Sequence, residues 1–143
     1  NPPLKLLIDS GSSKTMIRPD VVEKYYPQCI YQSSNVIKTC MGQKKTKFCA
    51  TIPAFDEFRS NENIDILLYD FHDFYDGLIG LDVITQFGLL FDYKNSLVVN
   101  EYILIPLYVR NPLETSKRIT VNASEIFRTQ IPVSIENDEI LVP

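Results

Sequence analysis

A single Asp-Ser-Gly triplet, Asp9-Ser10-Gly11, carries the strongest chemical signal in the chain. It follows the apolar run Leu6-Leu7-Ile8 and precedes Ser12-Ser13-Lys14-Thr15-Met16-Ile17. Carboxylates are seldom set against a core unless something pairs with them or uses them. One carboxylate in a polar turn is an ordinary weak acid. Two carboxylates about 3 Å apart share a proton, because both cannot ionise at that distance. Such a pair can deprotonate a water and protonate a leaving group in one site. It needs no metal, no cofactor and no nucleophilic side chain. Ser10 offers a hydroxyl that can fix local geometry, and Gly11 lets a second backbone approach closely. The triplet occurs once, and Asp76-Gly77 lacks the middle hydroxyl residue. The economical source of a second carboxylate is a second copy of the chain, across an isologous two-fold interface.

Short strands must position this turn. Leu4 to Ile8 reads as a buried strand ending at Asp9. Arg18-Pro19-Asp20 opens a short helix through about Tyr25, with Pro19 suited to the first helical position. Residues 35–52 form two polar-apolar segments around Met41-Gly42-Gln43-Lys44-Lys45, a long hairpin with an exposed basic tip. Ile64 to Tyr69 is a strongly apolar strand. Asp76-Gly77 marks a turn, and Gly80 breaks the run Leu78-Ile79. Asp82 is placed to cap a short helix from Val83 to about Phe87, which Gly88 stops. Leu89 to Phe91 and Ser96 to Val99 read as strands about a turn at Asp92-Tyr93-Lys94-Asn95. From about Tyr108 the texture changes. Arg118 to Val121, Thr129 to Ile135 and Glu139 to Val142 look like short strands between polar turns.

Leu6 to Ser13 followed by Thr15-Met16-Ile17 resembles the active-site strand and loop of retropepsin-type aspartic proteases. The second signature of that family is two apolar residues, a Gly, any residue and an Asp or Asn. Leu78-Ile79-Gly80-Leu81-Asp82 is similar to it, about 70 residues downstream. Phe71 to Gly77 and Phe91 to Asn95 further resemble proteases of Gypsy-type long-terminal-repeat retroelements, notably the errantivirus branch. The resemblance covers about residues 1–108. It implies an all-β, retropepsin-like acid-protease half-barrel with a flap hairpin and one short helix near the C-terminal end of the protease. Residues 109–143 are expected as a β-rich extension or linker toward a reverse transcriptase.

The resemblance also implies roles. Asp9 would be the catalytic carboxylate, Ser10 would cross-brace the two active-site loops, and Gly11 would line the substrate floor. The hairpin of Val36 to Thr51 would be the flap, with Met41, Gly42 and Gln43 at its tip. Gly80 and Asp82 would support the strand and helix behind Asp9. An extended peptide of a Gag-Pol-like polyprotein would bind along flap and floor. The family normally carries a strand ahead of the active-site strand. Only eight residues precede Asp9, so that strand is expected to be missing here, Asn1-Pro2-Pro3 resembling the turn after it. A competing reading is a catalytically silent module that binds peptides or dimerises. A further one is the related retropepsin-like domain of ubiquitin-pathway shuttle proteins, against which stand Phe71 to Gly77 and the C-terminal tail.

Composition sets the remaining bounds. The chain has 143 residues, is 45% hydrophobic and carries a net charge of −4. Neither nucleic acid nor an anionic membrane is favoured as partner of this domain, and no stretch of about 18 apolar residues occurs. Three cysteines, Cys29, Cys40 and Cys49, form an odd set that suggests free thiols in a reducing, intracellular setting such as the cytoplasm or a virus-like particle. Cys40 and Cys49 lie symmetrically about Lys44-Lys45 and would face each other if the hairpin turned there. The single histidine, His72, has no set of neighbours with metal-ligand spacing. Lys44, Lys45 and Lys47 read as a solvated tip, and Asp73, Asp76 and Asp92 as turn residues.

Overall fold

The computed structural model describes residues 3–39, 42–70, 75–109 and 117–122. The chain is predominantly β. Its strands are β1 (Pro3–Ile8), β2 (Met16–Ile17), β3 (Ile30–Thr39), β4 (Gly42–Pro53), β5 (Asn63–Leu68), β6 (Gly77–Ile79), β7 (Leu90–Asp92), β8 (Leu97–Val99), β9 (Leu104–Pro106), β10 (Tyr108–Val109) and β11 (Lys117–Asn122). Two short helices, α1 (Pro19–Tyr25) and α2 (Leu81–Gln86), interrupt them. Pro19 opens α1, as its fixed φ and missing N–H allow. Asp20 in the first turn pairs with Arg18 at 2.6 Å, and this holds the Asp20 carboxyl below its ordinary range.

Eight strands form one sheet in the order β10-β11-β1-β6-β2-β5-β4-β3. At its centre β1 runs parallel to β6, with Leu6 opposite Gly77 and Ile8 opposite Ile79. β2 lies between β6 and β5, antiparallel to the first and parallel to the second. The alternation in β1 is regular: Leu4, Leu6 and Ile8 are buried, while Pro3 and Lys5 are exposed. β5 repeats it with Ile64, Ile66 and Leu68. A period of two lays these residues on one face, which is the face a core can cover. They pack with Ile17, Ile52, Ile79, Val98, Ile105, Ile119 and Val121 in a single core. β7, β8 and β9 form a smaller antiparallel sheet whose inward residues Val98 and Ile105 join that core.

Two of the elements that the sequence leaves unassigned bear on the core. One is β9. The other is a single 3-10 turn at Asp56–Phe58, where Phe55 and Phe58 meet edge-on at 5.5 Å and Phe58 lies 4.8 Å from Phe87.

The hairpin of β3 and β4 turns elsewhere than its charge pattern suggests. Thr39 pairs with Gly42, and Lys44 and Lys45 lie within β4 opposite Ile37 and Val36. Gly42, the first residue of β4, takes φ +119°, a conformation that side chains rarely adopt. A turn centred at Lys44-Lys45, the condition for Cys40 and Cys49 to face each other, is thereby overturned. Cys49 stands opposite Tyr31, is buried, and accepts a hydrogen bond from Asn35 Nδ2 at 3.2 Å. Cys40 and Met41 themselves lie outside the described residues, as do His72 and the segments 129–135 and 139–142.

Asp76 also differs from the simple turn residue expected. Its N–H donates to the Lys5 carbonyl (2.9 Å), its Oδ2 accepts the Lys5 N–H (2.8 Å), and its carbonyl accepts the Arg18 N–H (2.9 Å). It therefore ties β1, the entry to β6 and the exit of β2 together.

β11 extends the sheet across position 108. It pairs antiparallel with β1 from Pro3↔Asn122 to Leu7↔Arg118, and its Ile119 and Val121 are fully buried. Replacing Ile119 with Ala should lower the unfolding free energy by about 2–5 kcal/mol in urea denaturation. An unchanged midpoint would show that β11 does not pack on β1.

Candidate active site

Asp9 is placed by the last rung of the β1–β6 ladder. Its N–H donates to the Ile79 carbonyl at 2.9 Å, one residue beyond the paired Ile8 and Ile79. The chain then reverses: the Ser12 N–H donates to the Asp9 carbonyl at 3.0 Å. Within this turn the Gly11 N–H donates to Asp9 Oδ1 at 2.9 Å. A carboxylate that accepts a backbone N–H two residues on is an Asx-type turn, which fixes the side chain's direction. Asp9 is half-buried, whereas Ser10 and Gly11 are exposed. The turn is built so that one carboxylate oxygen is anchored and the acid sits at the edge of the core.

Behind the turn lies a polar clamp. Thr15, with no exposed surface, accepts the Gly80 N–H on its hydroxyl at 3.0 Å and donates that hydroxyl to Asp82 Oδ1 at 2.7 Å. The Thr15 N–H donates to Asp82 Oδ2 at 3.1 Å. Asp82 Oδ1 also takes the Val83 N–H at 2.8 Å. The Leu81 N–H donates to the Ser12 carbonyl at 2.7 Å, so the first residue of α2 is tied directly to the Asp9 turn. Ser12 Oγ donates to the Lys14 carbonyl at 2.8 Å and shapes the loop between the two anchors.

Gly80 is where the loop and the helix come closest. A Cβ there would stand 2.5 Å from the Lys14 carbonyl oxygen and 2.9 Å from that of Ser12. Both are backbone atoms, so no side-chain movement relieves the clash.

The expected capping role of Asp82 is corrected by this geometry. Gly80 occupies the N-cap position, and Asp82 is the second helical residue. Its carboxylate is drawn across to Thr15, where a buried hydroxyl and a backbone N–H offer more than a cap site would. Charge-assisted hydrogen bonds of this kind are shorter and stronger than neutral ones.

Of the residues singled out in the sequence, Asp9, Ser10, Gly11, Gly80 and Asp82 thus gather around one turn. Gly42 and Gln43 lie at the distal end of the β3–β4 hairpin, both exposed. Thr15 is the site residue that the motif reading left without a role. The available signal was a hydroxyl residue heading the buried pair Met16-Ile17, where an apolar residue would be the simpler choice. Among the described residues no group of three or more His, Cys, Asp or Glu could hold a metal ion. A separate open cavity of about 600 Å³ lies between the 3-10 turn, the end of α2 and β8, with Phe58, Phe87, Leu90 and Tyr102 in its walls. None of its lining residues belongs to the Asp9 turn.

No family model and no curated protein matches the chain. Among solved structures it is similar to the retroviral protease-like domain of Ddi1 from Leishmania major, at 15% identity and a TM-score of 0.41. The match covers 77% of this chain and 87% of that one.

The clamp gives a direct test. Thr15→Val keeps the shape but removes both hydroxyl hydrogen bonds, leaving the Gly80 N–H without a partner and Asp82 Oδ1 with the Val83 N–H alone. Stability should fall by about 1–3 kcal/mol in chemical denaturation. A Val variant as stable as the parent would show that the clamp does not hold the loop.

Proposed function

We propose that the chain is an aspartic endopeptidase whose active site assembles from two copies, each supplying one Asp9. The observation that carries this reading is the Asp9 turn itself. A half-buried carboxylate has one oxygen anchored by the Gly11 N–H, on a loop braced twice against α2. A structural aspartate would be satisfied by its surroundings. Among the described residues Asp9 Oδ2 accepts no hydrogen bond, and Ser10 directs no hydroxyl bond within its own chain. Both are open to a partner across a two-fold axis.

In this reading one carboxylate of the Asp9 pair is ionised and takes a proton from water as its oxygen attacks the scissile carbonyl. The other is protonated and donates a hydrogen bond to the carbonyl oxygen. Collapse of the tetrahedral intermediate breaks the C–N bond, and the leaving nitrogen receives a proton from the pair. Proton gain and loss balance over the cycle, so the pair returns to its starting state. The β3–β4 hairpin would close over an extended peptide and exclude water. The substrate would be a Gag-Pol-like polyprotein, processed inside the cell or a virus-like particle, as the resemblance of the two signatures suggests.

Two outcomes test the proposal together. Asp9→Asn, which preserves the volume and the Gly11 hydrogen bond, should lower kcat by at least about a thousandfold on a peptide-library substrate. The parent should show a bell-shaped pH–rate profile on the acidic side of neutrality, because a shared proton gives the pair two apparent titrations. Equal turnover by the Asn variant would rule out Asp9 as the catalytic acid. Peptide binding by the parent without any turnover would instead favour a silent binding module.

A further inference from the structure

The open cavity of about 600 Å³ away from the Asp9 turn is a built feature. Three segments form it: the 3-10 turn with the residues after it, the end of α2, and the turn between β8 and β9. Side chains pin these segments to one another. Gln86 Nε2 donates to the Asn63 carbonyl at 2.9 Å, and Asn100 Nδ2 donates to the Phe87 carbonyl at 2.6 Å. Asn100 Oδ1 in turn accepts the Tyr102 and Ile103 N–H groups at 2.7 and 2.8 Å. The walls are therefore fixed before any ligand arrives, as those of small-molecule sites usually are. The volume also falls in the range of about 300–1,000 Å³ typical of such sites.

The lining divides into an apolar floor and a charged mouth. Phe58 and Phe87 are buried, with ring centres 4.8 Å apart. Leu90 and Tyr102 line the same cavity yet stay 65% and 71% exposed. Arg59, Glu62 and Glu101 bring charges of both signs to it, and all three are exposed. They do not pair with one another: among the described residues the one ion pair is Arg18 with Asp20. Glu62 takes a long hydrogen bond from the Ser60 hydroxyl at 3.4 Å. The Arg59 guanidinium and the Glu101 carboxylate have no partner among the described residues. Arg59 also stands at φ +49°, in the left-handed region where glycine or asparagine is the easier residue. Backbone outliers of this kind concentrate at ligand sites.

We propose that this cavity binds a free α-amino acid with a large apolar side chain. The side chain would lie on Phe58 and Phe87 and cover the exposed Leu90 and Tyr102, removing apolar surface from water. The carboxylate would take the Arg59 guanidinium, whose planar fork suits two parallel hydrogen bonds. The ammonium would face Glu101 and Glu62. A purely anionic ligand would meet two carboxylates, and a purely cationic one would meet the guanidinium. An internal residue of a polypeptide carries neither charge and would leave all three groups unanswered. The zwitterion matches both signs at the mouth and the apolar floor together. No lining residue belongs to the Asp9 turn, so the site does not depend on whether the chain cleaves peptides.

The chain contains no Trp, so indole signals report on an added ligand alone. L-tryptophan is titrated against the full chain and followed by saturation-transfer NMR. A ligand of that size is expected to bind with a Kd on the order of 1 mM. Tryptamine, which lacks the carboxylate, and indolepropionate, which lacks the ammonium, should each bind at least about threefold more weakly. N-acetyl-tryptophanamide, which lacks both charges, should bind about tenfold more weakly. Arg59→Gln should raise the Kd for L-tryptophan at least about threefold and leave that for tryptamine unchanged, a split that a merely structural effect would not produce. The ligand series needs no variant and decides the question alone if Arg59→Gln does not fold. Absence of saturable binding at about ten times the expected Kd would overturn the proposal. So would equal affinity for L-tryptophan and N-acetyl-tryptophanamide, or binding that is unchanged in folded Arg59→Gln but lost in Asp9→Asn.

Discussion

A buried hydroxyl held between a backbone N–H and a carboxylate is the interaction on which this site depends. Thr15 sits in the loop that follows Asp9, and Asp82 sits in the first turn of α2. Three hydrogen bonds link the two residues and Gly80, and none of Thr15 is exposed. In a medium of low polarity such a network is strong when complete and expensive when broken. It also has direction. The loop cannot slide along the helix without stranding a carboxylate, so the reversal that presents Asp9 has little freedom. Gly80 makes the close approach possible by carrying no Cβ where two carbonyl oxygens press in.

The sheet serves the same end on a larger scale. β1 is tied at both of its ends by residues from the segment around β6. At the start Asp76 exchanges two hydrogen bonds with Lys5, and at the finish the Asp9 N–H meets the Ile79 carbonyl. Between them the parallel pairing of Leu6 to Ile8 with Gly77 to Ile79 fixes the register. A slip of one residue would turn Leu4, Leu6 and Ile8 out of the core. β11 covers the other side of β1 and closes the core with Ile119 and Val121. The strand that carries the acid is thus an interior strand, although it lies near the beginning of the sequence.

Much of this was legible in the residues. The alternation of β1 and β5, Pro19 at the start of α1 and the reversal at Asp9 are local signals, and local signals are what a sequence displays. Asp9, Gly80 and Asp82 were also visible as a set, because their types are unusual beside apolar runs. What was hidden is pairing. Nothing near Asp82 says that its carboxylate reaches Thr15 as well as its own helix end. Nothing near Asp76 reveals the Lys5 backbone as its partner. The distal end of the hairpin is legible at Gly42-Gln43, whereas the charge at Lys44-Lys45 belongs to β4. The union of β11 with β1 joins the two ends of the described chain, and such long-range pairing leaves no local trace.

One chain supplies one Asp9, and the account requires two. Mixing parent and Asp9→Asn chains at constant total concentration, after equilibration, tests that requirement directly. If each site needs a carboxylate from both copies, activity should fall as the square of the parent fraction, to about a quarter at equal amounts of the two chains. Activity that falls in simple proportion, to about half, would mean that a single chain holds a complete site and would contradict the account.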